Sequence, residues 1–167
     1  MASKIELATV NPLPIDPEQK VRRHVDALFG AGVSDALQDM QFEFSRRTGR
    51  IKNFRVDGKL AATLRTDGGL ALTIPGAQHL LEKSSPFVEN CVTPVQEAAQ
   101  FVSEGRSLFC RHVQWCGSGV RVGSDVAVIY DGKVIAVGVA ILPSGLMRQY
   151  SRGVAVKIRE GIKGRTG

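Results

Sequence analysis

The residues best suited to nucleophilic or metal chemistry in this chain are three cysteines and three histidines. A structural zinc site takes about four such ligands, arranged in close pairs such as C-x-x-C. Only the stretch with Cys110, His112 and Cys116 comes near this spacing, and unpaired cysteines more often pack as small hydrophobic residues. An odd number of cysteines also argues against a disulfide framework. We therefore expect reduced thiols and no metal site.

Catalytic motifs are missing from the sequence as well. No G-x-S-x-G elbow, H-E-x-x-H helix, Walker-type loop or G-x-G-x-x-G loop occurs, and the segment 117–119 (G-S-G) is only a loop. His24, His79 and His112 fall in predicted helices and a strand, where each is most simply a surface or hydrogen-bonded histidine. We expect neither catalytic residues nor a cofactor. An enzyme would need a pocket in which several titratable groups converge.

The other candidates for chemistry are cations. A formal charge of +6 and a pI near 9.5 favour an anionic partner, either nucleic acid or an anionic membrane surface. Two basic blocks stand out, each with a single acidic residue: Arg46, Arg47, Arg50, Lys52, Arg55, Lys59 and Arg65, and then Arg148, Arg152, Lys157, Arg159, Lys163 and Arg165. They form one binding surface if the two parts of the chain pack side by side. Otherwise they are ordinary solvated faces.

Neither a membrane span nor an export signal is visible in the sequence. No run of about 18 apolar residues occurs, and the segment 1–10 contains Glu6 and lacks the apolar block of a secretory signal. We therefore expect a cytoplasmic protein with no membrane partner.

Helices and a small antiparallel sheet are predicted for the first half of the chain. Prolines near the N-terminus predict an extended arm over residues 5–15, and Asp16 followed by Pro17 predicts the start of a helix. The predicted strands, separated by glycine turns, are residues 41–45, 50–56, 59–65 and 70–73. A helix over residues 75–83 follows. The imperfect alternation of the strands favours a sheet with one basic and one apolar face.

From Phe87 onward the pattern changes to short apolar strands separated by glycines, which is typical of a small barrel. The predicted strands cover residues 87–92, 107–114, 125–130, 134–141 and 153–159, with one helix over residues 94–104. Asp131-Gly132 predicts a tight hairpin turn between two of the strands. The segment 84–86 (S-S-P) is the expected domain boundary.

Four segments of this second half carry a family likeness: residues 105–109 (G-R-S-L-F), 122–128 (V-G-S-D-V-A-V), 135–140 (I-A-V-G-V-A) and 153–159 (G-V-A-V-K-I-R). Together they resemble the PUA domain of pseudouridine synthases and archaeosine tRNA-guanine transglycosylases. In one departure, Ser124 separates the turn glycine from Asp125, whereas the acidic residue usually follows that glycine directly. The resemblance implies a C-terminal PUA pseudo-β-barrel over residues 86–161.

Two earlier segments, residues 41–51 (Q-F-E-F-S-R-R-T-G-R-I) and 57–65 (D-G-K-L-A-A-T-L-R), look like the domain that precedes PUA in archaeal transglycosylases. The resemblance then covers the whole chain and implies an α+β fold, with an N-terminal small α/β sandwich-like domain over residues 1–85. In those enzymes catalysis belongs to a separate (β/α)₈ barrel of roughly 250 residues. A chain of 167 residues cannot contain that barrel, so we expect it to correspond to the RNA-binding region alone.

The resemblance also implies where RNA would be held, in the groove between the loop after the PUA helix and the final strand. It maps onto Gly105, Arg106, Phe109, Arg111, Lys157 and Arg159. Lys157 and Arg159 are two apart in a strand, so both side chains should leave by the outward face. Arg148 and Arg152 flank Tyr150, whose ring could stack on an unpaired base such as a tRNA 3′ end. Arg46, Arg47, Arg50 and Lys52 form a secondary basic patch.

Alternatives remain open for several of these residues and for the function. Gly105 could simply end a helix, Phe109 could belong to the core, and Tyr150 could be a lid on the barrel. The leading interpretation is an accessory protein that binds tRNA or another structured RNA, with a tRNA-modifying enzyme as a further partner. The alternatives are a protein-interaction module of a ribosomal or tRNA-modification complex and a non-catalytic subunit of a split transglycosylase.

Overall fold

The computed structural model describes residues 15–164, which form two small domains that share a hydrophobic core. The predicted extended arm over residues 5–15 lies almost entirely outside the described residues. Helix α1 (Pro17–Phe29) begins where the sequence predicts: the Asp16 side chain accepts a hydrogen bond from the Gln19 N–H, and Pro17 takes the first turn. A 3₁₀ turn, Val33–Ala36, follows this helix.

An antiparallel sheet and a second helix complete the N-terminal domain. Its strands, in spatial order, are β1 (Gln41–Phe44), β2 (Ile51–Val56), β3 (Lys59–Leu64) and β4 (Leu70–Leu72). Helix α2 (Ile74–Lys83) packs closely on β3. The contact requires glycine at position 76, because a Cβ there would come within 2.0 Å of the Ala61 carbonyl oxygen. The four-strand prediction is confirmed to within about one residue at each end.

A six-stranded sheet, wound into a nearly closed barrel, forms the C-terminal domain. Its elements in chain order are β5 (Cys91–Pro94), α3 (Gln96–Ser103), β6 (Leu108–Phe109), β7 (Val113–Cys116), β8 (Asp125–Tyr130), β9 (Lys133–Ala140), α4 (Ser144–Met147) and β10 (Val154–Gly161). The strands neighbour one another in the order β6-β10-β9-β8-β5-β7, and β5 and β8 run parallel. This mixed α/β architecture with a PUA-like barrel is the fold class that the sequence predicts.

Two predicted strands were wrong, each because tertiary packing overrides the strand pattern. Residues 85–90 form a 3₁₀ turn, so the first barrel strand begins at Cys91 and not at Phe87. Phe87 owes its burial to edge-on packing against Phe29, with ring centroids 5.7 Å apart. The strand predicted over 107–114 is broken by the turn Cys110–His112, where the chain crosses from one sheet edge to the other. The short helix α4, which buries Met147, was not predicted.

The barrel and the N-terminal domain meet along the outer face of β8 and β9. Val126 and Val128 fill the barrel, whereas Ala127, Val134 and Val137 belong to the core that the barrel shares with α1, α2 and the first sheet. Strand β8 is therefore buried on both faces, which explains the apolar run over residues 126–129. The Gln78 side-chain oxygen also accepts a hydrogen bond from the Val134 N–H at 2.7 Å. These contacts fix the two domains side by side.

Candidate nucleic-acid interface

The loop after α3 is held rigidly against the end of the last strand. Gly105 has a left-handed backbone (φ 94°), which lets its N–H reach the Val102 carbonyl while the Arg106 N–H reaches the Phe101 carbonyl. This pair of bonds is a Schellman motif, the common way to end a helix with glycine. The loop lies directly over Gly161, where a Cβ would come within 2.3 Å of the Ser103 carbonyl oxygen. Gly105 thus ends the helix and also shapes the groove beside it.

An open groove of about 530 Å³ runs between this loop and β10. Its walls include Gly105, Arg106, Ser107, Phe109, Lys157 and Glu160. The side chains of Arg106 and Lys157 are exposed and form no hydrogen bond or salt bridge to another described residue. The groove therefore offers two uncommitted cations on a rigid backbone frame, an arrangement suited to phosphate groups.

Two exposed aromatic rings border the groove. Phe101 is 48% exposed and Phe109 is 44% exposed, so Phe109 is not a core residue. The Arg106 guanidinium lies 5.3 Å from the centre of the Phe101 ring, within the range of a cation–π contact. Both rings, together with Arg111 and His112, line an adjoining hollow of about 180 Å³. Exposed rings beside cations are suited to stacking on unpaired bases.

Phe101 was missed by the sequence prediction, although the sequence contains the signal. The buried stripe of α3 consists of Ala98, Ala99 and Val102, and Phe101 falls outside it. A large aromatic residue on the wet face of a helix, four residues before a glycine loop, is the observation that points to a contact surface.

Only some of the other predicted RNA-binding residues lie at or beside the groove. Arg111 and Arg152 line a second hollow of about 200 Å³ beside Phe109, so they extend the same surface. Arg148 and Tyr150 follow α4 and line neither the groove nor the two hollows next to it. Tyr150 is 51% exposed and does not close the barrel as a lid.

Arg159 occupies a different position from its strand neighbour Lys157. A β-bulge between Ile158 and Glu160 places Arg159 at the domain junction, although it also touches the rim of the groove. Its guanidinium donates two hydrogen bonds to the Asp125 carboxylate, at 2.6 and 3.0 Å, and one to the Leu72 carbonyl at 2.7 Å. Most of its donors are therefore occupied within the protein.

Asp125 is the buried partner of this contact, with a side chain that is 4% exposed. It also accepts a hydrogen bond from the Leu72 N–H at 2.7 Å. Burial raises the pKa of the Asp125 carboxyl, and the hydrogen bonds and positive charge of Arg159 oppose that rise. The pair thus ties β8 and β10 of the barrel to β4 of the N-terminal domain.

The secondary basic patch divides into a hairpin tip and an ion pair. The tip comprises the exposed residues Arg46, Arg47 and Arg50 on the β1–β2 turn, which is closed by a 2.8 Å bond from the Ser45 N–H to the Arg50 carbonyl. Lys52 instead lies 3.6 Å from Glu43. The Asn53 amide and Lys52 hold the pKa of Glu43 below its usual range, so the charge of Lys52 is largely balanced.

Titratable groups also line a cleft of about 240 Å³ beside α2, which contains Asp57, His79 and Glu82. One His79 ring nitrogen lies 2.8 Å from the Ala36 carbonyl oxygen and the other 3.7 Å from the Asp57 carboxylate, and Glu82 accepts a hydrogen bond from the Gln78 side-chain nitrogen. Burial raises the pKa of Cys91 to about 12 and that of Cys116 to about 11, so both thiols stay protonated. Within residues 15–164, no group of three potential ligands could hold a metal ion. In the same range, no helix is long and apolar enough to cross a membrane.

Comparisons with known proteins assign both domains. Residues 19–86 match the family described as patch-forming domain C2 of tRNA-guanine transglycosylase, and residues 93–162 match the PUA domain. A tRNA-guanine(15) transglycosylase of Thermoplasma volcanium is 36% identical over 86% of this chain, and that of Thermococcus kodakarensis is 32% identical over 88%. The chain spans only 23% and 26% of those two relatives, about a quarter of their length.

Solved structures show the same two-domain fold. A hypothetical protein from Pyrococcus horikoshii superposes with a TM-score of 0.68, at 18% identity, over 86% of this chain and 89% of the other. A PUA domain protein from Thermoplasma acidophilum gives a TM-score of 0.61 at 21% identity, over 87% of this chain and 91% of the other. Over these two matched segments the chain resembles the C-terminal region of archaeal tRNA-guanine transglycosylases, with a C2-like domain followed by a PUA-like domain.

Proposed function

We propose that this chain binds structured RNA, with tRNA as the first substrate to test, and serves as an accessory to RNA modification. The observation that carries the proposal is the groove between the Gly105 loop and β10. The groove and the hollow beside it combine the uncommitted cations Arg106 and Lys157 with the exposed rings Phe101 and Phe109. Cations can neutralise phosphates while rings stack on unpaired bases, which together suit a folded RNA with a single-stranded segment. The curated relatives are named tRNA-guanine(15) transglycosylases, which favours tRNA as the first probe.

The hairpin tip is the second contact in this proposal. Among the described residues, its three arginines have no salt-bridge partner and form no cation–π contact, so they would hold phosphates without reading bases. We further propose that the chain performs no base exchange itself and that it acts in the cytoplasm. The matched region of the relatives is about a quarter of their length, so a transglycosylase reaction would depend on a further catalytic part.

A salt titration with unmodified tRNA transcript tests the proposal. Binding is measured by fluorescence anisotropy between about 50 and 200 mM salt, where counterion release governs affinity. About five phosphate contacts predict a log–log slope of roughly −4. No binding at the lowest salt would overturn the proposal. A nearly flat slope would favour a protein-interaction module instead.

A parallel assay addresses catalysis. The purified chain is incubated with tRNA and radiolabelled guanine, and the label retained on the tRNA is counted. We expect retention no greater than in a sample without protein. Guanine exchange above that level would show that the chain carries catalytic groups of its own.

A further inference from the structure

The domain junction contains a charged contact that the RNA proposal does not use. We name it the clasp: the Asp125 side chain, the Arg159 side chain and the backbone of Leu72. The Asp125 carboxylate accepts the Leu72 N–H, the Arg159 guanidinium donates to the Leu72 carbonyl, and the two side chains are paired with each other. Both carboxylate oxygens, both terminal guanidinium nitrogens and both backbone groups of Leu72 therefore have a partner inside the protein.

The clasp takes the place of a neighbouring strand. Leu72 lies in β4, one of the two edge strands of the N-terminal sheet, and is buried. A buried edge strand leaves backbone N–H and C=O groups without partners, which is costly. Asp125 and Arg159 supply an acceptor and a donor to these two groups, as an adjacent peptide would. One ion pair thus joins an edge of the N-terminal sheet to two strands of the barrel.

The clasp links the domain that carries the hairpin tip to the domain that carries the groove. Lys157 of the groove is two residues from Arg159, roughly 7 Å along β10. The hairpin tip joins β1 and β2, which lie two and three strand spacings from β4, so the sheet order separates it from β4 by roughly 10 to 14 Å in addition to the distance along the strands. The clasp is therefore placed to fix how far apart, and at what angle, the groove and the hairpin tip are presented.

We propose that the clasp sets the spacing of two RNA-binding surfaces, and that Arg159 is a positioning residue rather than a phosphate ligand. The inference rests on the proposed function and extends it: one folded RNA spans both surfaces at once. The shared core keeps the domains side by side and the clasp sets their angle, so the second surface binds at a high effective concentration while that angle is kept. The ligand class is an RNA whose phosphates span roughly 20 Å or more between the two surfaces.

Asp125→Asn should change tRNA affinity in opposite directions under simple electrostatic attraction and under the positioning role of the clasp. The substitution removes one negative charge, so if electrostatic attraction alone governs binding, tRNA affinity should rise. If the clasp positions the two surfaces, affinity should fall about threefold to fivefold although the protein has become more positive. Asparagine keeps an oxygen for the Leu72 N–H, and a thermal melt checks that the variant is folded at the assay temperature.

Arg159→Lys is the second variant. Lysine keeps the positive charge, but its single nitrogen cannot reproduce the two hydrogen bonds to Asp125 together with the one to the Leu72 carbonyl. A phosphate-binding role predicts little change in tRNA affinity, whereas a positioning role predicts a loss similar to that of Asp125→Asn.

A double-mutant cycle with the hairpin tip separates positioning from general loosening of the fold. The probe is the same tRNA transcript, and the second substitution set is Arg46→Gln, Arg47→Gln and Arg50→Gln. Once the tip cannot bind phosphate, Asp125→Asn should cause no further loss, because there is no second contact left to position. Additive losses, or tighter binding by Asp125→Asn alone, would overturn the inference and leave RNA binding intact. Failure of the native chain to bind tRNA would instead reject the proposed function.

Discussion

The groove and the domain junction use the same kind of residue for opposite purposes. At the groove, Arg106 and Lys157 are exposed and free to meet an anion; at the junction, Arg159 is engaged by Asp125 and Leu72. Lys157 and Arg159 are only two residues apart on β10. Position in a basic block therefore does not determine a cation's role. What decides it is whether the folded chain already supplies the cation with an anion.

Substitution at Arg159 should give the largest effect and sharpen this contrast. Arg159→Gln leaves the buried Asp125 carboxylate without its counter-charge, which we expect to lower the free energy of unfolding by about 2 to 3 kcal/mol. Breaking a fully buried ion pair costs about 3 to 5 kcal/mol. The loss expected here is smaller because a third of the Arg159 side chain is exposed. Lys157→Gln, the matched control, should change it by no more than about 0.5 kcal/mol. Urea unfolding of both variants measures the difference, and equal stability would remove the distinction between groove and junction.

The aromatic rings distinguish the groove from a merely basic surface. Removing both rings with Phe101→Ala and Phe109→Ala should weaken binding to an RNA hairpin with unpaired 3′ nucleotides by about tenfold or more, because a stacked base contributes about 1 to 3 kcal/mol. Binding to a blunt RNA duplex should change little. The slope of affinity against salt should stay the same, since no cation is removed. Equal losses on the two RNAs, measured by anisotropy, would contradict stacking.

The hairpin tip should behave as charge without rings. Arg46→Gln, Arg47→Gln and Arg50→Gln together should weaken binding about fivefold and reduce the salt slope by roughly two units. The loss should be the same for RNAs with and without unpaired nucleotides, because phosphate contacts carry no base information. Circular dichroism should show an unchanged fold, as the three side chains are exposed. A loss confined to one class of RNA would show that the tip reads more than phosphates.

The smallest expected effect is the pH response of the junction. Burial raises the folded-state pKa of Asp125 above its ordinary value of 3.8, so between those two pH values the folded protein binds more protons than the unfolded chain. The stability that Asp125 contributes is therefore full below 3.8 and declines as pH rises through the folded-state pKa. Asp125→Asn lacks this titration. The stability of native protein relative to the variant should thus be greater at acidic than at neutral pH, and the opposite trend in paired thermal melts would contradict the assignment.

The overall fold could be predicted because local signals and periodicity agree for most elements. Asp16 and Pro17 mark a helix start, and Asp131-Gly132 forms the predicted turn, with both residues at positive φ. The prediction of a strand beginning at Phe87 was wrong because an apolar run can also be buried as a 3₁₀ turn when a partner such as Phe29 covers it. Sequence periodicity does not record that partner.

The site was predicted less completely than the fold. Alternation along β10 correctly gives Lys157 an exposed position and Val156 a buried one. The β-bulge after Ile158, and the edge of β4 that meets Arg159, depend on contacts between residues 87 positions apart in the sequence. Such long-range pairing has no local signature, so the sequence could not separate the free cation from the engaged one.

The most direct measurement compares two charge-matched triple variants on the same tRNA transcript at the same salt concentration. One removes Arg106, Arg111 and Lys157 from the groove surface, and the other removes Arg23, Lys83 and Lys133 from exposed positions elsewhere, in each case with glutamine. Both lower the net charge from +6 to +3. A groove that binds phosphate predicts an affinity loss of roughly 100-fold for the first variant and at most about threefold for the second. Equal losses would show that only net charge matters, and the groove would have to be abandoned as the RNA-binding site.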